Sequence, residues 1–270
     1  MPASNPVTRP HTPYSRDLAA MGDAVREAGA AVKELFGKTV KTWEKDDRSP
    51  VTEADHAAND ILKERLRGHA PAYGWLSEEC EDDNSRLNND HVWVVDPVDG
   101  TRAFLKGLPH FSVCVALLER GSAVAAIIYN PITEEMFEAA KGGGAYRNGA
   151  PLAPSETQAL KGARMLGMGA MFTHPDWPRP WPEMTVDWVS STAYRMALVA
   201  AGDYDAMIAL QPKYDWDLAA GALIAAEAGA AVGDHLGGGF QFNEAAAKQK
   251  SVVTAAPGLH NEILERLSHL

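Results

Sequence analysis

The stretch HVWVVDPVDGT constrains this chain more than any other segment. Its apolar start predicts a buried strand over His91–Val95, which ends in two acids, Asp96 and Asp99. Pro97 between them fixes its own φ angle, and Gly100 permits backbone geometries that other residues resist. A turn of this kind can direct both carboxylates to one point beyond the end of the strand.

Two carboxylates that converge in this way suit Mg²⁺, which prefers carboxylate and water oxygens. The step from Gly100 to Thr101 can also open a helix whose free N–H groups face an anion. The stretch therefore predicts a metal and phosphate site. The same residues also occur in plain surface turns, so the rest of the chain has to decide between the two interpretations.

Four further motifs favour the metal site. They are Ser49–Asp55 (SPVTEAD), Trp75–Glu79 (WLSEE), Asp215–Gly221 (DWDLAAG) and Glu227–Ala230 (EAGA). In this order and at these separations, the motifs resemble those of the inositol monophosphatase family, which consists of Mg²⁺-dependent, lithium-sensitive phosphomonoesterases. The resemblance extends from about Leu18 to the C-terminus.

The fold that the resemblance implies is a layered α-β-α-β-α sandwich of the sugar-phosphatase type, in the α/β (α+β) class. We expect residues 1–153 to form an N-terminal α+β half with an antiparallel sheet and most metal ligands. Residues 154–270 are expected to form a C-terminal α/β half that completes the site.

Hydrophobic periodicity predicts the individual elements. The predicted helices are Asp17–Phe36, Thr52–Gly68, Ser191–Ala201, Trp216–Gly229 and Leu259–Leu267. Beyond His91–Val95, the predicted strands are Phe111–Leu118, Ala123–Tyr129, Glu135–Ala139, Ala163–Met168, Ala206–Leu210, Ala230–Val232 and Ser251–Ala255. Phe172–Trp188 contains four prolines and three tryptophans and is predicted to be a non-repetitive loop.

Composition limits the partners. A formal net charge of −11 argues against nucleic acid or an anionic membrane as the main partner. No segment has the length of a transmembrane helix, and the N-terminus lacks the apolar stretch of a signal peptide, so a cytoplasmic location is expected. An acidic protein that binds a phosphate ester needs cations to offset the repulsion, which fits a metal-charged site. The family resemblance implies a small phosphorylated metabolite as substrate. The resemblance also implies a homodimer.

The resemblance assigns metal ligands residue by residue. The side chains of Glu78, Asp96, Asp99 and Asp217 match the carboxylate ligands of the family, and the main-chain carbonyl of Val98 matches a further ligand. Crowded carboxylates raise one another's pKa values, and two or three Mg²⁺ ions would remove that conflict. Mn²⁺ is an expected substitute for Mg²⁺.

The catalytic residues implied by the resemblance are Asp55, Thr101 and Glu78. Asp55 and Thr101 match the pair that orients and helps to deprotonate the attacking water, which a metal ion acidifies. The backbone N–H groups of Gly100 and Thr101 are expected to bind the phosphate. Lys45 lies where the family has a loop lysine. The implied reaction is direct in-line attack by water, without a phosphoenzyme.

The substrate is less constrained. Inositol monophosphatases usually carry a glutamate seven residues before the last aspartate, and this chain has Leu210 there. Arg195 matches a basic residue of 3′(2′),5′-bisphosphate nucleotidases and could bind a second phosphate; its alternative is an exposed charge on a helix. Inositol 1-phosphate is the first expectation and 3′-phosphoadenosine 5′-phosphate the alternative. A histidinol-phosphate phosphatase and a non-enzymatic partner of the transcription machinery are further alternatives.

Overall fold

A computed structural model of the chain describes residues 10–46 and 48–270. The helices are α1 (Ser15–Leu35), α2 (Glu53–His69), α3 (Thr101–Leu105), α4 (Gly169–Phe172), α5 (Thr192–Ala200), α6 (Asp215–Ala228) and α7 (Pro257–Leu267). The strands are β1 (Thr42–Glu44), β2 (Pro50–Thr52), β3 (Gly74–Ser77), β4 (His91–Asp99), β5 (Ser112–Glu119), β6 (Ser122–Asn130), β7 (Glu135–Ala140), β8 (Ala145–Arg147), β9 (Ala150–Pro151), β10 (Arg164–Leu166), β11 (Thr185–Asp187), β12 (Ala206–Ala209), β13 (Lys213–Tyr214), β14 (Ala231–Gly233), β15 (Lys248–Gln249) and β16 (Val252–Ala255). No helix in these ranges is long and apolar enough to cross a bilayer.

Two sheets carry most of the strands. The first has seven strands in the order β3-β4-β5-β6-β7-β8-β9, and every neighbouring pair except β3–β4 is antiparallel. The short turns between successive strands allow this pairing, as their sequence predicted. The second sheet has the order β11-β10-β12-β16-β14, with β10 parallel to both β11 and β12.

Three apolar clusters connect the sheets to helices on both sides, which confirms the predicted α-β-α-β-α layering. Helices α1 and α2 cover the outer face of the first sheet, where Met21 and Leu62 pack with Trp93. Helices α5 and α6 lie between the two sheets, and α7 covers the outer face of the second sheet through Leu259 and Ile263.

The position expected to divide the two halves, 153/154, falls between β9 and β10. The central cluster contains Ala116 of β5 and Met207 of β12, so the two halves share one core. This arrangement matters for function because residues from both halves can then meet along the middle layer.

Two predictions about strands were wrong. β4 does not end at Val95 but continues to Asp99, because its backbone keeps pairing with β5 beyond Pro97. The predicted loop Phe172–Trp188 contains the end of α4 and strand β11. β11 has three residues and pairs on one side with β10. It is too short to show an alternation of apolar and polar residues, and its formation depends on pairing with a strand distant in sequence.

Candidate functional site

The β4 strand carries a bulge between its two acids. Asp96 pairs with Cys114 and Asp99 with Ser112, so three steps along β4 match two along β5. Residues three apart in a regular strand point to opposite faces, and the extra residue of a bulge returns them to the same face. Both carboxylates therefore project from the face that meets the middle helices. A bulge within a strand, rather than the predicted turn after it, makes them converge.

The third carboxylate comes from the C-terminal half. Asp217 lies in the first turn of α6, two residues after the helix begins, and accepts a hydrogen bond from the Tyr214 N–H at 2.9 Å. One oxygen each of Asp96, Asp99 and Asp217 lies within 4.8 Å of the other two. We call these three side chains the carboxylate cluster.

The N-terminus of helix α5 holds the Asp99 carboxylate in place. Asp99 Oδ2 accepts hydrogen bonds from the Ser191 hydroxyl and the Ala193 N–H, both at 2.7 Å. Ser191 also caps α5, since its oxygen accepts from the Tyr194 N–H at 2.9 Å. Sequence reasoning missed the role of Ser191, although a serine directly before a helical pattern is a recognisable capping signal.

Burial is the main cause of raised pKa values in the carboxylate cluster. It raises the pKa of Asp96 well above the usual range, with Glu78, Asp99 and Asp217 adding to the effect. Burial and the charge of Asp99 raise the pKa of Asp217 to about 7, against the opposing charge of Lys213. The pKa of Asp99 is also raised by burial, although hydrogen bonds partly counter this.

One oxygen of Asp96 indicates what the carboxylate cluster can hold. Asp96 is 1% exposed, its Oδ1 accepts from the Val98 N–H at 3.1 Å, and its Oδ2 has no hydrogen-bond partner within the described ranges. A buried carboxylate oxygen without a partner is costly. A divalent cation coordinated by several oxygens would satisfy it, and Mg²⁺ fits a set made only of carboxylates and a carbonyl.

Glu78 lies at the edge of the carboxylate cluster. It directly follows β3, whose last residue pairs with Val95, so Glu78 lies beside Asp96. Its carboxylate contacts Lys45 Nζ at 2.8 Å, and Glu79 contacts the same nitrogen at 2.7 Å. Burial alone would lower the pKa of Lys45, but the two carboxylates outweigh it and raise the pKa. In the structure, Glu78 is therefore paired with the ammonium group of Lys45 and is not part of the carboxylate cluster.

The predicted pair for water activation is in contact. Thr101 Oγ1 lies 2.9 Å from Asp55 Oδ1 and 3.1 Å from the Val98 carbonyl oxygen. The other oxygen of Asp55 accepts from both the N–H and the hydroxyl of Thr52, at 2.8 and 2.5 Å, as part of the capping box of α2. Burial raises the pKa of Asp55, and the hydrogen bonds from Thr52 and Thr101 oppose that shift.

The turn into α3 requires glycine. Gly100 has a φ of +104°, and a Cβ atom there would lie 2.8 Å from the His110 carbonyl oxygen. Both the dihedral angle and the close approach exclude larger residues. Gly100 therefore sets the position of the Thr101 hydroxyl relative to Asp55.

Arg195 is buried, with 2% of its surface exposed, so the alternative of an exposed helix charge is wrong. Its guanidinium donates to the Ser191 carbonyl at 3.3 Å and to Thr192 Oγ1 at 3.2 Å. Burial lowers the pKa of Arg195, while Asp99 and Asp217 oppose that shift. The guanidinium therefore lies close enough to interact with the carboxylate cluster.

Comparison with known proteins shows similarity in sequence and in fold over most of the chain. Residues 15–269 match the model of the inositol monophosphatase family. The inositol-1-monophosphatase of Rhizobium meliloti (strain 1021) is 36% identical over 233 residues, covering 82% of this chain and 86% of the relative. The Nus factor SuhB of Pseudomonas aeruginosa is 35% identical over 228 residues, covering 79% and 83%. The solved structure of the Thermotoga maritima IMPase aligns with a TM-score of 0.81 at 26% identity, covering 94% of this chain and 96% of that one.

Proposed function

Since this chain belongs to the inositol monophosphatase family and is a phosphatase, we propose that it is an Mg²⁺-dependent phosphomonoesterase for small phosphorylated metabolites of the inositol 1-phosphate type. The observation that carries the proposal is the carboxylate cluster with its unpartnered Asp96 oxygen. The 36% identity to an inositol-1-monophosphatase supports the substrate type.

The metal ions and the phosphate would be bound by different groups of the site. The carboxylate cluster, Glu78 and the Val98 carbonyl would hold two or three Mg²⁺ ions, or Mn²⁺ in their place. The metal would supply positive charge against the phosphate and acidify a water molecule. The N–H groups of Gly100 and Thr101 would bind phosphate oxygens.

Asp55 and Thr101 would orient the attacking water. The Thr101 hydroxyl donates to Asp55 and keeps its lone pairs available to accept from water. We expect Thr101→Ala to lower kcat by roughly 10²- to 10⁴-fold, a typical contribution of proton transfer and positioning. Thr101→Ser keeps the hydroxyl and is the matched control, expected to retain most activity. The check is the initial rate of phosphate release; a Thr101→Ala variant as active as Thr101→Ser would remove Thr101 from the mechanism.

Lithium sensitivity follows from the family resemblance. We expect Li⁺ to inhibit phosphate release, and Mg²⁺ in large excess to inhibit it as well, because an ion that remains at the leaving-group position retains the product. Rates are to be measured across Li⁺ and Mg²⁺ series, with Na⁺ or K⁺ at equal ionic strength as the control. Activity that responds to Li⁺ no differently than to Na⁺ would count against the lithium-sensitive group.

A second candidate is a 3′(2′),5′-bisphosphate nucleotidase, which rests on the match of Arg195 to a basic residue of those enzymes; Arg195 is 2% exposed, so a second phosphate would have to reach it at a buried position. If a second phosphate binds there, Arg195→Ala should raise KM for 3′-phosphoadenosine 5′-phosphate by roughly 10- to 100-fold, as expected for a charge-assisted hydrogen bond. KM for inositol 1-phosphate should change far less. Equal, small changes for both substrates would remove this candidate.

The match to relatives named Nus factor SuhB supports a regulatory role alongside catalysis as a further candidate. A purely non-enzymatic role is less favoured, since a scaffold has no physical need for mutually repelling buried acids. Leu210 offers no side-chain hydrogen bond to a sugar hydroxyl. It packs with the apolar residues under α7, and the inositol-type proposal does not explain its presence at this position.

A further inference from the structure

Arg86 is a charged residue in the interior of the protein that lies outside the carboxylate cluster. It belongs to a short 3₁₀-helix, Ser85–Asn88, and 1% of its surface is exposed. This helix packs against the start of β3, since a Cβ atom at Gly74 would lie 3.1 Å from the Arg86 Cα. β3 leads directly into Glu78, so Arg86 is attached to the segment that carries this expected metal ligand.

The guanidinium of Arg86 connects the two halves of the chain. Its Nε and Nη2 donate to Asp82 Oδ2 at 3.0 and 2.7 Å, and Asp82 lies four residues after Glu78. Its Nη1 donates to Asn243 Oδ1 at 2.6 Å, and its Nη2 also donates to the Glu244 carbonyl at 3.0 Å. One side chain is therefore bonded both to the loop after β3 and to a loop of the C-terminal half.

The hydrogen bonds continue from Asn243 to the start of α6. The Asn243 N–H donates to Asp215 Oδ2 at 2.8 Å, and Gln249 Nε2 donates to Asp215 Oδ1 at 2.9 Å. Asp215 is fully buried and is the first residue of α6, and Asp217 follows two residues later. The bonds thus run from the loop after β3, through Arg86, to the helical turn that carries one carboxylate of the cluster.

The chemistry of arginine suits a geometric role. A guanidinium is planar and has five N–H groups in a fixed fork, so it can bond several partners at set angles that the ammonium group of lysine cannot reproduce. Burial of a charged pair is weak evidence for stability, because apolar residues of similar volume often stabilise a fold equally well. The geometry that the buried Arg86 enforces explains its presence better than the stability that it adds.

The metal site needs such a connection because its ligands come from both halves of the chain. Asp96 lies on β4 of the first sheet, whereas Asp217 lies on α6. Two hydrogen bonds join Asp99 to α5, but they do not fix the start of α6. A functional site requires its groups within roughly 0.5 Å of their productive positions, so the placement of α6 against the first sheet has to be exact.

We propose that Arg86 is a positioning residue for the metal site, which fixes the segment that carries Glu78 relative to the turn of α6 that carries Asp217. The connection runs through Asp82 on one side and Asn243 on the other. The inference rests on the proposed Mg²⁺-dependent function. Arg86 contacts neither metal nor substrate, and its effect is on metal affinity.

The test compares Mg²⁺ binding, measured by calorimetry, in wild type, Arg86→Met and Asn243→Gly. Met keeps much of the apolar volume and removes the guanidinium. Gly removes the Asn243 side chain and tolerates the φ of +63° found there. We expect Arg86→Met to raise the Kd for Mg²⁺ by roughly 10- to 100-fold, as for other residues that support metal ligands, and Asn243→Gly to raise it by less.

The sign of this effect separates positioning from charge. Removal of a positive charge near a cation site would by itself strengthen Mg²⁺ binding, so a loss of affinity in Arg86→Met reports the lost geometry. The matched control is Arg65→Met, which removes an exposed guanidinium paired with Glu27 and should leave the Kd unchanged. In both test variants, kcat at saturating Mg²⁺ should return close to the wild-type value. Thermal unfolding in EDTA measures stability separately.

An unchanged or lower Kd for Mg²⁺ in both Arg86→Met and Asn243→Gly would overturn the proposal, even if Tm in EDTA falls, because Arg86 would then serve the fold alone. If Arg86→Met does not fold, Asn243→Gly decides: a higher Kd supports the proposal, and an unchanged Kd overturns it. An equal rise in Arg65→Met, or a kcat that stays low at saturating Mg²⁺, would also overturn it. If wild type binds no Mg²⁺, the proposed function fails; if wild type and both variants bind it equally, the positioning role fails on its own.

Discussion

Asp217→Asn is expected to abolish turnover while leaving the protein folded. The amide removes one negative charge from the carboxylate cluster and should weaken metal binding by more than the roughly 10- to 100-fold typical of residues that only support ligands. Asn can still accept the hydrogen bond from the Tyr214 N–H, so the start of α6 should persist. The measurements are phosphate release, Mg²⁺ titration by calorimetry, and thermal unfolding.

The matched control is Asp23→Asn, which changes the same group on the exposed surface of α1. It should leave all three measurements unchanged. Near-normal Mg²⁺-dependent activity in Asp217→Asn would mean that Asp217 is not a ligand and that the site has been placed wrongly.

In the absence of divalent metal, the free energy of unfolding of the protein should decrease as the pH rises from 5 to 8. The folded-state pKa of Asp217 is about 7 against a normal 3.8, and the pKa values of Asp96 and Asp99 are raised as well. The folded protein then binds protons that the unfolded chain has released, so the free energy of unfolding falls with pH, by an amount on the order of a few kcal/mol. Glu79, whose pKa burial raises to about 7, acts in the same direction.

Thermal unfolding in EDTA from pH 5 to 8 tests this expectation. Saturating Mg²⁺ should flatten the dependence, because it binds the ionised folded form. Asp217→Asn in EDTA should show a weaker dependence than wild type. A Tm in EDTA that is constant or increases over this range would show that burial and the neighbouring charges do not raise the pKa values of these acids as described.

Much of the site was predictable because its parts lie in short motifs. The order of SPVTEAD, DPVDGT and DWD along the chain indicated the family and pointed to Asp55, Asp96 and Asp217. The layering was also predictable, because each amphipathic helix must cover a sheet face. The contact between Thr101 and Asp55 is observed as expected.

The sequence did not reveal features that depend on distant pairing. The bulge in β4 exists only relative to β5, and so could not be predicted from the β4 stretch itself. The guanidinium of Arg195 lies against Trp188, which ends a segment predicted to be a loop, and no local pattern indicates this contact. The contact of Lys45 with Glu78 joins positions 33 residues apart, and no local pattern requires it.

The most direct test of the central claim is phosphate release by the purified protein from inositol 1-phosphate, 3′-phosphoadenosine 5′-phosphate, histidinol phosphate and fructose 1,6-bisphosphate. The carboxylate cluster predicts release from at least one ester with Mg²⁺, loss of activity in EDTA, and recovery when Mg²⁺ is returned. Release that EDTA does not affect, or no release from any of the four esters with Mg²⁺, would contradict a metal-dependent phosphomonoesterase built on Asp96, Asp99 and Asp217.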